Sequence, residues 1–181
     1  MACDDSPGTA PLLWVPAAVW PLLGDLATAL RARGWHLVTA ESCTGGLVAA
    51  CCTALAGSSD WFERGFVTYS NAAKVAQLGV DAALLATHGA VSEPVARAMA
   101  HGAALATQTQ VALAITGIAG PTGGSAAKPV GAVWFGWCVD GRVDAEGMRF
   151  DGDRAAVRAA AVEYALAGLV RRVRVSDAGG R

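Results

Sequence analysis

Three short polar clusters interrupt an otherwise apolar chain of 181 residues, and they hold the side chains able to do chemistry. The first is Glu41-Ser42-Cys43-Thr44-Gly45-Gly46, between an apolar run and a helical pattern. A hydroxyl at such a junction stands beside the unpaired N–H groups of a helix start. Those donors and the helix dipole stabilise an oxyanion or bind a phosphate. Gly45 and Gly46 let a ligand approach the backbone closely. On spacing alone, Ser42 or Thr44 serving only as a helix cap is the favoured reading, with donors at Thr44 to Gly46 holding an oxyanion or phosphate as the alternative.

The second cluster is Tyr69-Ser70-Asn71-Ala72-Ala73-Lys74. Lys74 is one of two lysines, the other being Lys128, against twelve arginines. Arginine stays charged at neutral pH, whereas a desolvated lysine can serve as a base. Lys74 is therefore a candidate general base for a serine, with Tyr69 as a proton relay and Asn71 as a substrate contact. The alternative is a solvated lysine on a short helix beside a half-buried tyrosine. Glu41 either orients Lys74 or a ligand hydroxyl, or caps the helix that follows it. Cys43 is a rival nucleophile, since helix N-termini lower thiol pKa values, or a small buried residue.

The third cluster is the glycine-rich run Thr116-Gly117-Ile118-Ala119-Gly120-Pro121-Thr122-Gly123-Gly124. Successive amides with little side chain form anion nests, so Thr116, Gly117, Gly120, Gly123 and Gly124 are candidate phosphate contacts. The run fits neither the P-loop nor the dinucleotide fingerprint. A plain surface loop is the other reading. Lys128 either neutralises a phosphate there or faces water.

The elements that must position these clusters alternate between strand-like and helix-like. Helical spacing covers 17–33, 44–55, 71–78, 92–107 and a last helix capped by Asp153. Apolar runs at 35–40, 65–70 and 111–116 read as strands. Asp140-Gly141 joins 130–139 to 142–150 as a hairpin. The pattern predicts an α/β fold, three-layer α/β/α with a mixed, mostly parallel sheet. All three polar clusters fall after strands, where such sheets bind ligands. We expect an N-terminal arm over 1–16, one domain over 17–175 and a frayed tail over 176–181.

Composition narrows the classes of partner. Fourteen Lys+Arg against fifteen Asp+Glu give a net charge of −1, which gives no support to a nucleic-acid binder. Hydrophobic residues make up 54% and charged residues 16%, so the chain can build a core. The apolar stretch 10–23 is short for a membrane span and carries three prolines, so it reads as a docking arm rather than a span or an export signal. We expect a cytoplasmic protein with no membrane partner. The five cysteines have no zinc-like spacing, so no metal and no cofactor is expected. Six tryptophans and the arm are compatible with a homo-oligomer or with buried core.

Taken together and in order, these motifs resemble the CinA C-terminal-domain family, whose standalone members include nicotinamide-nucleotide amidases. The matching segments are TAESCTGG at 39–46, AGSS and WFERGFVTYSNAAK within 56–74, LGV at 78–80, HGAVSEPV at 88–95, TGIAGPTGG at 116–124 and KPVGAVWF at 128–135. The resemblance spans about residues 26–164. It implies an α/β/α fold and hydrolysis of nicotinamide mononucleotide to nicotinate mononucleotide and ammonia, a step of pyridine-nucleotide salvage. It also implies Ser42 as nucleophile, activated by Lys74 and Tyr69. The pyrophosphatase-type domain of larger CinA proteins is not expected. The alternative is a non-catalytic nucleotide- or partner-binding module of the same fold.

Overall fold

The computed structural model describes residues 15–178. Its elements are α1 (Val19–Arg31), β1 (Leu37–Glu41), α2 (Leu47–Ala54), a 3-10 turn (Ser58–Asp60), β2 (Phe62–Val67), α3 (Asn71–Leu78), α4 (Ala82–His88), α5 (Glu93–Thr107), β3 (Val111–Gly117), β4 (Ala132–Val139), β5 (Arg142–Arg149) and α6 (Arg154–Ala178). The five strands form one sheet in the order β2-β1-β3-β4-β5.

The alternation of β3 explains the layering. Val111, Leu113 and Ile115 join a core built with α1, α2 and α6. Ala112 and Ala114 face the other way, into a core with α5, Leu78 and Leu85. The sheet is thus covered on both faces, and β3 reads as one apolar run because both its faces are buried. The second face uses small residues because α5 lies very close to it. A Cβ on Gly136 of β4 would stand 2.1 Å from the Ala96 carbonyl oxygen.

The three-layer α/β/α architecture is as expected, and the sheet is mixed. It is not mostly parallel: β1 pairs in parallel with β2 and β3, while β3–β4 and β4–β5 are antiparallel. The glycine-rich connection from β3 to β4 reverses the chain once, and the hairpin at Asp140-Gly141 reverses it again. The three parallel strands all end at the same edge of the sheet. There the chain leaves β1 for α2 on one face and leaves β2 for α3 on the other. Loops diverging this way open a crevice at the strand ends.

Several boundaries differ from the expectation. β2 starts at Phe62 rather than 65, because its pairing with β1 begins at Leu37 with a register shift before Val38. β2 ends at Val67, so Thr68, Tyr69 and Ser70 follow the strand, and of these Tyr69 lines the crevice. The sequence reading left Ala82–His88 unassigned, but it is helical, and the Asp81 carboxylate caps it by accepting from the Ala83 amide at 2.8 Å. α6 continues through Ala178, so the predicted fraying at 176 does not occur within the described residues. The predicted arm up to residue 14 and residues 179–181 lie outside them.

α6 is fastened to the antiparallel half of the sheet. Trp137 Nε1 donates to the Ala165 carbonyl at 3.1 Å, and the Arg172 guanidinium stacks 3.7 Å above the Trp137 ring while donating to Asp144 and Glu146. This fixes where the first turn of α6 lies relative to the crevice. Among the described residues, no helix is long and apolar enough to cross a membrane.

Candidate active site

Ser42 follows β1 directly, and its amide remains in the sheet by donating to the Ile115 carbonyl at 2.9 Å. The next residues turn sharply, with Gly45 at φ 62° and Gly46 at φ 95°. Gly46 is the N-cap of α2, and its left-handed backbone favours a residue without Cβ. Neither Ser42 nor Thr44 caps this helix. The cap is Glu41, 1% exposed, whose carboxylate accepts from the amides of Gly46 at 2.9 Å, Val48 at 3.1 Å and Ala49 at 2.8 Å. A buried carboxylate thus satisfies the orphan donors of the helix start, and the Ser42 hydroxyl is released from that duty.

Of the two alternatives for Glu41, this geometry favours the cap: it contacts backbone amides rather than Lys74, and it does not line the crevice. The Gly45 and Gly46 amides are already engaged, by the Ser42 carbonyl at 3.1 Å and by Glu41, so they are not free oxyanion donors. The amides of Cys43 and Thr44 donate to no carbonyl among the described residues.

Lys74 lies one turn into α3, a helix capped by the Ser70 hydroxyl, which accepts from the Ala73 amide. It is 1% exposed. Its Nζ lies 3.1 Å from Ser42 Oγ and donates to the Thr68 carbonyl at 2.8 Å. Among the described residues, no carboxylate pairs with it. Burial without a counter-ion disfavours the ammonium and lowers the lysine pKa below its ordinary value. A neutral amine at this place donates to Thr68 and accepts from the serine hydroxyl.

The pair forms the floor of a cleft of about 360 Å³, with Thr116, Gly117, Gly120 and Gly123 in its walls. Thr116 Oγ1 donates to the Ala90 carbonyl at 2.9 Å and holds the opposite wall in place. Gly124 packs on Val130, and neither it nor Asn71, Thr44, Gly45 or Gly46 lines the cleft. Tyr69 does line it, but at the rim, 59% exposed. Its hydroxyl accepts from Arg154 Nη2 at 3.0 Å and bonds to neither Ser42 nor Lys74. The proton relay expected of Tyr69 is not supplied by this geometry, since Lys74 reaches Ser42 directly.

Two residues of the site were missed in the sequence. Arg154 donates to the Gly120 carbonyl at 3.1 Å and to Tyr69. Arg158, one turn on, donates to the Thr44 carbonyl at 2.7 Å and so pins the turn that carries Ser42. The only signal was two arginines at i, i+4 after the Asp153 cap, which any solvated helix face also shows.

With this geometry in hand, comparison with known proteins is decisive. The CinA C-terminal domain profile matches residues 21–173. The chain belongs to the CinA C-terminal domain family. It is 56% identical over 146 residues to nicotinamide-nucleotide amidohydrolase PncC of Escherichia coli (strain K12), covering 78% of this chain and 87% of that protein. It is 53% identical over 148 residues to the PncC of Enterobacter agglomerans, covering 81% and 90%. Among solved structures, the CinA superfamily protein of Klebsiella pneumoniae 700603 superposes with a TM-score of 0.82 at 44% identity, covering 85% of this chain and 96% of that one.

In this CinA C-terminal domain the thiol beside Ser42 is a poor nucleophile. Cys43 is buried, and desolvation pushes its pKa up to about 11, against the smaller opposing effects of its backbone hydrogen bond, Arg158 and Lys74.

Proposed function

We propose that this chain is a nicotinamide-nucleotide amidohydrolase that converts nicotinamide mononucleotide to nicotinate mononucleotide and ammonia, a salvage step for pyridine nucleotides. The observation that carries the reading is the buried contact between Lys74 Nζ and Ser42 Oγ, which has no carboxylate beside it. The names of the PncC relatives supply the substrate.

In this mechanism neutral Lys74 takes the Ser42 proton as Oγ attacks the carboxamide carbon. The amide of Cys43, beside Ser42 in the cleft, is the donor left for the oxyanion. The Lys74 ammonium returns its proton to the leaving nitrogen, so ammonia departs and an acyl ester remains on Ser42. Water, deprotonated by Lys74, resolves the ester, and the proton returns to Oγ as nicotinate mononucleotide leaves. Serine–lysine pairs are one variant of the triad logic. Tyr69 belongs to the substrate-binding rim.

Incubation of the purified protein with nicotinamide mononucleotide tests the reading, with ammonia and the carboxylate product measured together. Equimolar release of both, abolished in Ser42→Ala, is the expected result. Binding without release under a range of pH values would favour the non-catalytic module.

A further inference from the structure

Among the described residues, the cleft is lined by two basic side chains, Lys74 on its floor and Arg154 at its rim, and by no carboxylate. The rim cation is unusual in its partners. Arg154 is exposed and bonds only to neutral oxygens, the Gly120 carbonyl and the Tyr69 hydroxyl. Its chain neighbour Asp153 is engaged by the Ala156 amide at 2.9 Å. A guanidinium has five N–H donors, and the remaining ones of Arg154 bond to no described residue. Lys128, the other cation flanking the glycine-rich loop, donates to the His88 carbonyl and does not line the cleft. The Gly120 carbonyl and Tyr69 therefore hold a fork-shaped, uncompensated cation at the mouth of a cleft whose reacting groups lie at the bottom.

We propose that Arg154 is the residue that selects a phosphorylated substrate, by binding the phosphate of a ligand whose carboxamide lies on Ser42. This rests on the amidase reading above. A ligand with its amide at the buried Ser42–Lys74 pair presents its other end at the rim, where Arg154 stands beside Gly120 and Gly123. Guanidinium and phosphate match as a two-pronged, charge-assisted pair. Tyr69 is then a positioning residue that orients Arg154.

The test compares nicotinamide mononucleotide with nicotinamide riboside, which lacks the phosphate. In Arg154→Gln, kcat/KM for the mononucleotide falls roughly tenfold to a hundredfold, mostly through KM, while the riboside value stays within about twofold of wild type. Arg154→Lys recovers part of the loss. Tyr69→Phe raises KM for the mononucleotide by a smaller factor, and by more than it raises KM for the riboside. Equal loss on both substrates, or no loss on either, overturns the proposal, and the riboside activity doubles as the check on folding. Calorimetric titration of Ser42→Ala with the mononucleotide, with and without Arg154→Gln, gives a readout independent of turnover. If the wild type hydrolyses neither compound, the amidase reading fails, and this titration still decides whether Arg154 binds the phosphate.

Discussion

Lys74 Nζ and Ser42 Oγ stand 3.1 Å apart although 32 residues separate them, and they meet because β1 and β2 are parallel neighbours. The loop after β1 carries the hydroxyl, and α3, which follows β2, returns the amine across the strand ends. Arginine at position 74 would keep the charge but could not accept a proton. Lys74→Arg and Lys74→Met should each lower kcat by roughly 10²- to 10⁴-fold. Ammonia release under saturating substrate measures this. Near-normal turnover in Lys74→Arg would remove the base from the mechanism.

The lowered pKa of Lys74 fixes the sign of two pH dependences. The proposed mechanism requires the neutral amine, so kcat/KM should rise with pH through the folded-state pKa, which lies below 10.5. For stability, the unfolded chain holds the Lys74 proton up to its ordinary pKa of 10.5, whereas the folded protein releases it earlier. Between the two values the unfolded state binds more protons, so stability from this group increases as pH rises. Urea unfolding of wild type and Lys74→Met, run in parallel, isolates the group. The stability advantage of the Met variant should shrink as pH climbs toward 10.5, and an advantage constant with pH would mean that Lys74 is not desolvated.

Much of this site was legible in the sequence because rare residue types marked it. Lys74 stood out against twelve arginines, and the helical spacing over 71–78 matches α3, which carries it. Arg154 and Arg158 were not legible, since what brings them to Tyr69, Gly120 and Thr44 is the docking of α6 on Trp137, a contact between segments distant in sequence. The role of Glu41 was ambiguous for a related reason. A carboxylate placed before a helix can cap it or face a ligand, and only the depth of β1 decides that it turns inward onto Gly46, Val48 and Ala49. The mostly parallel sheet failed because the glycine-rich segment between β3 and β4, read as a ligand loop, also returns the chain antiparallel beside β3.

The inward turn of Glu41 makes it a stability residue with an indirect effect on rate. Glu41→Gln keeps the shape but puts an amide NH₂ where an oxygen now accepts from backbone N–H groups. It should destabilise the fold by about 1–3 kcal/mol, or roughly 2–4 °C of Tm per kcal/mol for a chain of this size. Thermal unfolding followed by circular dichroism checks this. If Glu41 contacted the substrate instead, the variant would lose activity with Tm unchanged.

Cys43 and Ser42 are adjacent and both line the cleft, so their roles need separating by experiment. A thiol raised to about 11 by burial holds only a trace of thiolate at neutral pH, and the thiolate is the nucleophilic form. Cys43→Ala should therefore keep most of the activity, losing only what a small packing defect costs, and iodoacetamide at pH 7.5 should not inactivate the wild type. In the proposed mechanism the hydroxyl of Ser42 needs no such ionisation, because Lys74 removes its proton during attack. Loss of turnover in Cys43→Ala with the fold intact, together with rapid alkylation that substrate prevents, would transfer the nucleophilic role from the serine to the thiol.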